Sequence, residues 1–249
     1  MPVNNLRGAT ALVTGADTPL GEAIALALHA AGVRLAIHVL NAQPDDLEAE
    51  LCVRADPRDS VEVASAMEWV AEEFGELNLL VTCHAQPLAC ALAEQDEASF
   101  WSHVDAQLGG TFAFVQSAEP LLKKAGWGCV VLLTSAWGVG ARDLAAVAAA
   151  SGGVQVLCKS LARELGSHGV TVNAIAHAFT DSDWLALDAH ALDIGENVLR
   201  TAPQAYVPAA ALGQPAQVAH SVLLLCHPVL GAATGQTLQC NGGYFRHRT

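Results

Sequence analysis

Short, largely apolar segments alternate with helix-length ones from one end of this chain to the other. That alternation restricts the fold more than any other feature. Segments 9–13, 35–40, 51–55, 77–83, 129–134, 170–176 and 237–240 have the length of strands and are dominated by Val, Leu, Ile, Ala and Cys. Between them lie helical stretches at 20–31, 59–74, 100–124, 143–165 and 215–225, the second bounded by Asp59 as N-cap and Gly75 as stop. Strands without a polar alternate face are buried on both sides, as in a parallel sheet. Strands spaced by helices are βαβ units. The expectation is α/β: a single doubly wound Rossmann-like domain over 1–249, with a seven-stranded parallel sheet and helices on both faces. A looser, partly helical segment at 177–212 would form a lobe beside it. The hydrophobic fraction of 52% suits such a sheet, and suits burial between subunits as well.

The bulk properties exclude several partners. A formal net charge of -13 argues against nucleic acid and against anionic membrane surfaces. No uncharged apolar run reaches eighteen residues, so no membrane span is expected, and the start carries no signal-peptide pattern. The seven cysteines are scattered and never spaced C-x-x-C. They imply a reducing cytoplasm and no disulfide frame. His220 and His227 lack a metal-ligand spacing, and no metal site is expected.

Five motifs, read in chain order, carry a resemblance. They are Val13-Thr14-Gly15 through Gly21; Lys159-Ser160-Leu161-Ala162-Arg163-Glu164-Leu165; Val172-Asn173-Ala174-Ile175-Ala176; Gly213-Gln214-Pro215; and Thr234-Gly235-Gln236-Thr237-Leu238 with Asn241-Gly242-Gly243. Jointly they resemble the short-chain dehydrogenase/reductase family over residues 6–245. The resemblance implies a glycine-rich pyrophosphate loop after the first strand, with Gly15 and Gly21 as its cofactor-binding residues. It implies Asp56 as an acid near adenine; before Pro57 it serves equally as a turn residue. It implies Ser135 as the residue that holds a substrate oxygen.

The same comparison exposes departures. Pro19 occupies the middle glycine of the loop, where it offers no N–H, although proline is also a good first-turn helix residue. Val39 stands where NAD-using relatives carry an acid, and Arg34 lies at the far end of that strand. The loop after the fourth strand is Thr82-Cys83-His84-Ala85, with His84 either facing the cofactor cleft or replacing a turn residue. The tyrosine position of the catalytic group falls on Val147, the lysine position on Ser151 and the asparagine position on Gln107. No tyrosine precedes Tyr206, and Lys123, Lys124 and Lys159 are the only lysines. A phenol with a pKa near ~10 needs a neighbouring cation to act at neutral pH. Valine has no proton to give, and a serine lends no charge. Both halves of a device typically worth roughly 10²–10⁴-fold are missing.

The resemblance therefore implies a degenerate member in which Ser135 is a remnant and no catalytic set is intact. Within the family, the hydroxyacyl-CoA dehydrogenase of benzylsuccinate breakdown pairs an active with an inactive subunit, and this chain resembles the inactive type. The expected partner is an active paralogue in an α2β2 hetero-oligomer, which would hold the NAD or NADP that this chain does not bind. Gly152-Gly153 in mid-helix fits close approach of another backbone there. The alternatives are a ligand-binding or regulatory protein, and an oxidoreductase with a replaced acid/base group such as His84, His103 or His177 beside Ser135.

Overall fold

In a computed structural model that describes residues 6–245, seven strands form one parallel sheet. They are β1 (Thr10–Val13), β2 (Arg34–Val39), β3 (Leu51–Arg54), β4 (Leu79–Thr82), β5 (Gly128–Ser135), β6 (Val170–His177) and β7 (Thr237–Cys240), in the order β3-β2-β1-β4-β5-β6-β7. The strand order reverses direction between β1 and β4, which opens the crevice at their carboxyl ends where doubly wound folds bind ligands.

Alternation along the buried strands sorts side chains to two faces. On one face Cys129, Val131 and Leu133 of β5 share a core with Leu20, Ile24 and Leu28 of α1 (Pro19–Ala30). The same face receives α8 (Pro215–Cys226) through Val218, Val222 and Cys226. On the other, Val130 and Leu132 meet α2 (Ser60–Phe74), α4 (Gly110–Ala125) and α5 (Ala145–Leu165). Asp59 accepts the N–H groups of Val61 and Glu62 at the start of α2, and Gly75 ends it in the left-handed conformation. With its terminal 3₁₀ turn, α5 has the length and composition of a membrane span. Its Val147, Val154, Cys158 and Leu161 are buried within the two cores, while Lys159, Arg163 and Glu164 are exposed, which is the pattern of a core helix.

The expected single helix over 100–124 is interrupted. Glu97–Val104 forms α3, Asp105–Gly109 is a π turn, and α4 follows without a break in direction. The mid-helix glycines also answer to this chain itself. A Cβ on Gly153 would lie 2.7 Å from Leu108 of the π turn, and one on Gly152 would lie 3.2 Å from the Gly138 carbonyl. The lobe after β6 contains α6 (Leu185–Ala191) and α7 (Glu196–Thr201).

Candidate functional site

The β1–α1 loop has the tight packing of a phosphate loop. Gly15 is left-handed, and a Cβ there would lie 2.4 Å from the Cys83 carbonyl; one on Gly21 would lie 2.0 Å from the Gly15 carbonyl. Its donors, however, are turned inward. The N–H of Gly15 donates to His38 Nδ1 at 3.3 Å, that of Ala16 to the His38 carbonyl, and that of Thr18 to the Gly15 carbonyl. Gly21 N–H donates to the Thr18 hydroxyl, the N-cap of α1, and Pro19 has none to give. Asp17 reaches across to β2 and accepts the N–H groups of Leu40 and Asn41 at 3.0 and 2.7 Å. A carboxylate thus sits inside the loop, against the strand end where a ribose would be read.

Two buried histidines complete this half. A backbone N–H only donates, so His38 Nδ1 must accept, and its Nε2 carries the proton to the Ala55 carbonyl at 2.9 Å. By the same logic His84 Nε2 donates to the Ala106 carbonyl in the π turn at 3.0 Å, and its Nδ1 accepts from the Thr14 hydroxyl at 2.7 Å. Cys83 N–H donates in turn to that hydroxyl. Burial pushes His84 down to about 3, helped by His38, and lowers His38 too, so both rings are neutral. They pack on Phe114 with centroids 5.4 and 5.0 Å away. His84 therefore walls the cleft with both nitrogens engaged.

Beside His84 a cavity of about 420 Å³ is bordered by Leu40, Ala55, Asp56 and Arg58. Asp56 is part of a turn: its carboxylate accepts the Arg58 N–H at 2.9 Å and the Arg58 guanidinium through both oxygens. That guanidinium is the main reason the carboxyl lies below its ordinary range. Arg34 pairs with Glu50 at the opposite end of β2.

The second half lies at the ends of β5 and β6. Ser135 is buried, its hydroxyl accepting the Trp137 N–H at 3.2 Å. Val147 and Ser151 on α5 are fully buried. Gln107, in the π turn, donates to the Ser151 hydroxyl at 3.2 Å and takes the His103 ring nitrogen on its Oε1 at 3.2 Å. Two of the four positions that the resemblance assigns to catalysis, Ser135 and Val147, thus lie among backbone-bonded or apolar neighbours. Gln107 and Ser151 form a polar chain that ends at His103, whose pKa burial lowers.

Sequence reasoning missed the group that organises the lobe. Asp188 Oδ1 accepts Trp137 Nε1–H at 2.7 Å and its Oδ2 accepts Phe179 N–H at 2.6 Å. Burial pushes the carboxyl up to about 7 against both donors. Phe179 is held at φ 54, a costly conformation for a bulky residue. Its ring packs with Trp137, Tyr244 and Phe245 into one aromatic cluster. The absence of any charged partner beside Asp188 in the sequence left no signal for this pairing. His177, the register partner of Ser135, is buried with an unpartnered Nδ1 and lies edge-on to Trp184 at 5.1 Å; burial lowers it to about 4.

A doubly wound sheet with a glycine loop at its switch point and a substrate-side lobe defines a dinucleotide-fold oxidoreductase scaffold. The profile of the family described as enoyl-(acyl carrier protein) reductase matches residues 15–245. The chain is 32% identical to the 3-oxoacyl-[acyl-carrier-protein] reductase FabG of Staphylococcus aureus over 247 residues, covering 95% of this chain and 98% of the relative. It is 31% identical to the (2S)-[(R)-hydroxy(phenyl)methyl]succinyl-CoA dehydrogenase subunit BbsC of Thauera aromatica over 250 residues, covering 96% of each. A 3-oxoacyl-[acyl-carrier-protein] reductase of Synechocystis is 30% identical over 250 residues, 96% of this chain and 97% of that one. The chain belongs to the short-chain dehydrogenase/reductase family.

Proposed function

We propose that this chain is a non-catalytic subunit of a hetero-oligomeric NAD(P)-dependent dehydrogenase, supporting an active paralogue in an α2β2 assembly. One observation carries the reading: the tyrosine and lysine positions hold Val147 and Ser151, both fully buried. The loop gives the same direction. Gly15, Ala16, Thr18 and Gly21 spend their N–H groups inside the protein, Pro19 has none, and Asp17 adds a negative charge. That set does not fit a pyrophosphate, which needs outward N–H groups and no like charge. The nicotinamide cofactor then belongs to the partner.

Exposed apolar side chains support assembly. Phe112 on α4 and Val156 on α5 are 45% and 63% exposed, and Leu224 and Leu238 lie open on α8 and β7. A cavity of about 500 Å³ borders Phe112 between α4 and α5. The relative of similar length from Thauera aromatica is itself named as a dehydrogenase subunit, so a hydroxyacyl-CoA substrate for the complex is the favoured class. A reducing cytoplasm suits the free thiols.

Co-expression with a catalytically intact paralogue, followed by native mass spectrometry, tests the proposal. A mixed assembly of two chains each is expected, with dehydrogenase activity that drops when this chain is omitted. A homo-oligomer that ignores the paralogue would overturn it.

One observation favours a second reading, in which a replaced acid/base group keeps the chain active: His177 faces Ser135 across β5 and β6 with an unpartnered nitrogen. Under that reading the isolated chain turns over a carbonyl or alcohol substrate, and His177→Gln abolishes it.

A further inference from the structure

The two faces of the sheet set an unassigned pair of thiols together. Cys129 opens β5 on the face that carries Val131 and Leu133, and Cys226 ends the buried stripe of α8 at Val218, Val222 and Cys226. Helix α8 lies over β5, so the stripe ends where the strand begins. The Cys129 thiol donates to the carbonyl of Leu225, the residue before Cys226, at 3.4 Å. Both are buried, yet both border one cavity of about 420 Å³ walled in part by Gly128, Gly166 and Gly231.

We propose that Cys129 and Cys226 form a redox-sensitive dithiol, which closes to an intrachain disulfide when a low-molecular-weight disulfide such as oxidised glutathione enters this cavity. Cys129 is the attacking sulfur. The neighbouring Cys226 is the main influence holding the Cys129 thiol below the ordinary range, and the same interaction drives Cys226 up. The Cys129 thiolate attacks one sulfur of the reagent, making a mixed disulfide and expelling one thiolate, which takes up a proton. Cys226 then loses its proton to solvent and attacks Cys129 Sγ, expelling the second thiol. The protein loses two hydrogens, the reagent's disulfide is reduced to two thiols, and the balance needs no other oxidant. Competition inside the core is weak, because burial pushes Cys83 up to about 12 and Cys158 to about 11. The proposal does not depend on whether the chain is catalytic.

The test uses the whole protein. After full reduction it is incubated with oxidised glutathione, alkylated with iodoacetamide and mapped by peptide mass spectrometry. The expected result is withdrawal of two of the seven cysteines from alkylation, one linked peptide pair containing Cys129 and Cys226, and full reversal by dithiothreitol. Cys226→Ser should stop at glutathione attached to Cys129, and Cys129→Ser should give neither link nor adduct at Cys226. Wild-type protein that keeps all seven thiols alkylatable, or that takes glutathione at Cys52 or Cys90 without the Cys129–Cys226 link, would overturn the proposal. The wild-type map decides the matter even where a serine variant fails to fold.

Discussion

The two halves of the crevice are closed by different physics. Around the β1–α1 loop the closing groups are polar and satisfied: His38, His84, Thr14 and Asp17 consume the donors that a ligand would use. At the ends of β5 and β6 the closing groups are apolar or aromatic: Val147, Trp137, Phe179 and Tyr244 fill space, and one buried carboxyl ties Trp137 and Phe179 down. Hydrogen-bonded closure leaves a site the right shape with the wrong polarity. Packed closure removes the room itself. The two should therefore answer differently to substitution and to pH.

The largest effect belongs to the packed half. The double change Val147→Tyr with Ser151→Lys places a phenol and an ammonium at positions with no exposure. Overpacking and a buried unpaired charge together should cost at least ~3 kcal/mol. Urea unfolding is expected to show that loss, and no turnover of an alcohol or hydroxyacyl substrate with NAD should appear. Robust activity would mean the packed half opens easily.

Asp188→Ala comes next. It leaves Trp137 Nε1–H and Phe179 N–H without acceptors, at about 1–3 kcal/mol for each orphaned donor. The denaturation midpoint should fall accordingly, and tryptophan fluorescence should report a loosened Trp137. A change of less than ~0.5 kcal/mol would show that the lobe does not rest on this carboxyl.

The pH response separates the halves further. Asp188 is raised to about 7 in the folded state, above the ordinary carboxyl value, so its contribution is complete below about 4 and is lost as pH rises through about 7. His84 runs the other way: lowered to about 3, it stabilises above about 6.5 and loses that stability as pH falls. Each slope is ~1.4 kcal/mol per pH unit within its window. Asp188→Asn should therefore remove a penalty that grows from pH 4 to pH 7. His84→Asn should flatten the acid limb below about pH 6.5. Unfolding midpoints across that range check both signs.

The smallest effect is expected at Asp17→Asn. It keeps one acceptor for the β2 N–H groups and removes the charge, costing about 1 kcal/mol or less. Nucleotide affinity should stay weak, because the Gly15 N–H remains with His38.

The sequence made the framework legible where the determinants are local. Asp59 and Gly75 bound α2 because a carboxylate cap and a left-handed glycine act within one turn. The last strand, Thr237–Cys240, was readable because Thr234-Gly235-Gln236-Thr237-Leu238 and Asn241-Gly242-Gly243 match the family's last strand and closing turn. The π turn at Asp105–Gly109 was not readable, since its Ala106 carbonyl bonds His84 more than twenty residues upstream in the chain. His38 passed as an ordinary strand residue, and only the folded loop shows that it takes the Gly15 N–H. Gly152 and Gly153 suggested an approaching subunit; what the sequence did not show is that Leu108 and Gly138 of the same chain also pack there.

Titration calorimetry of the isolated protein with NADH and NADPH tests the closed-crevice account most directly. The account predicts no saturable heat up to about 1 mM, an interaction weaker than ~4 kcal/mol. Low-micromolar binding of either nucleotide would contradict it.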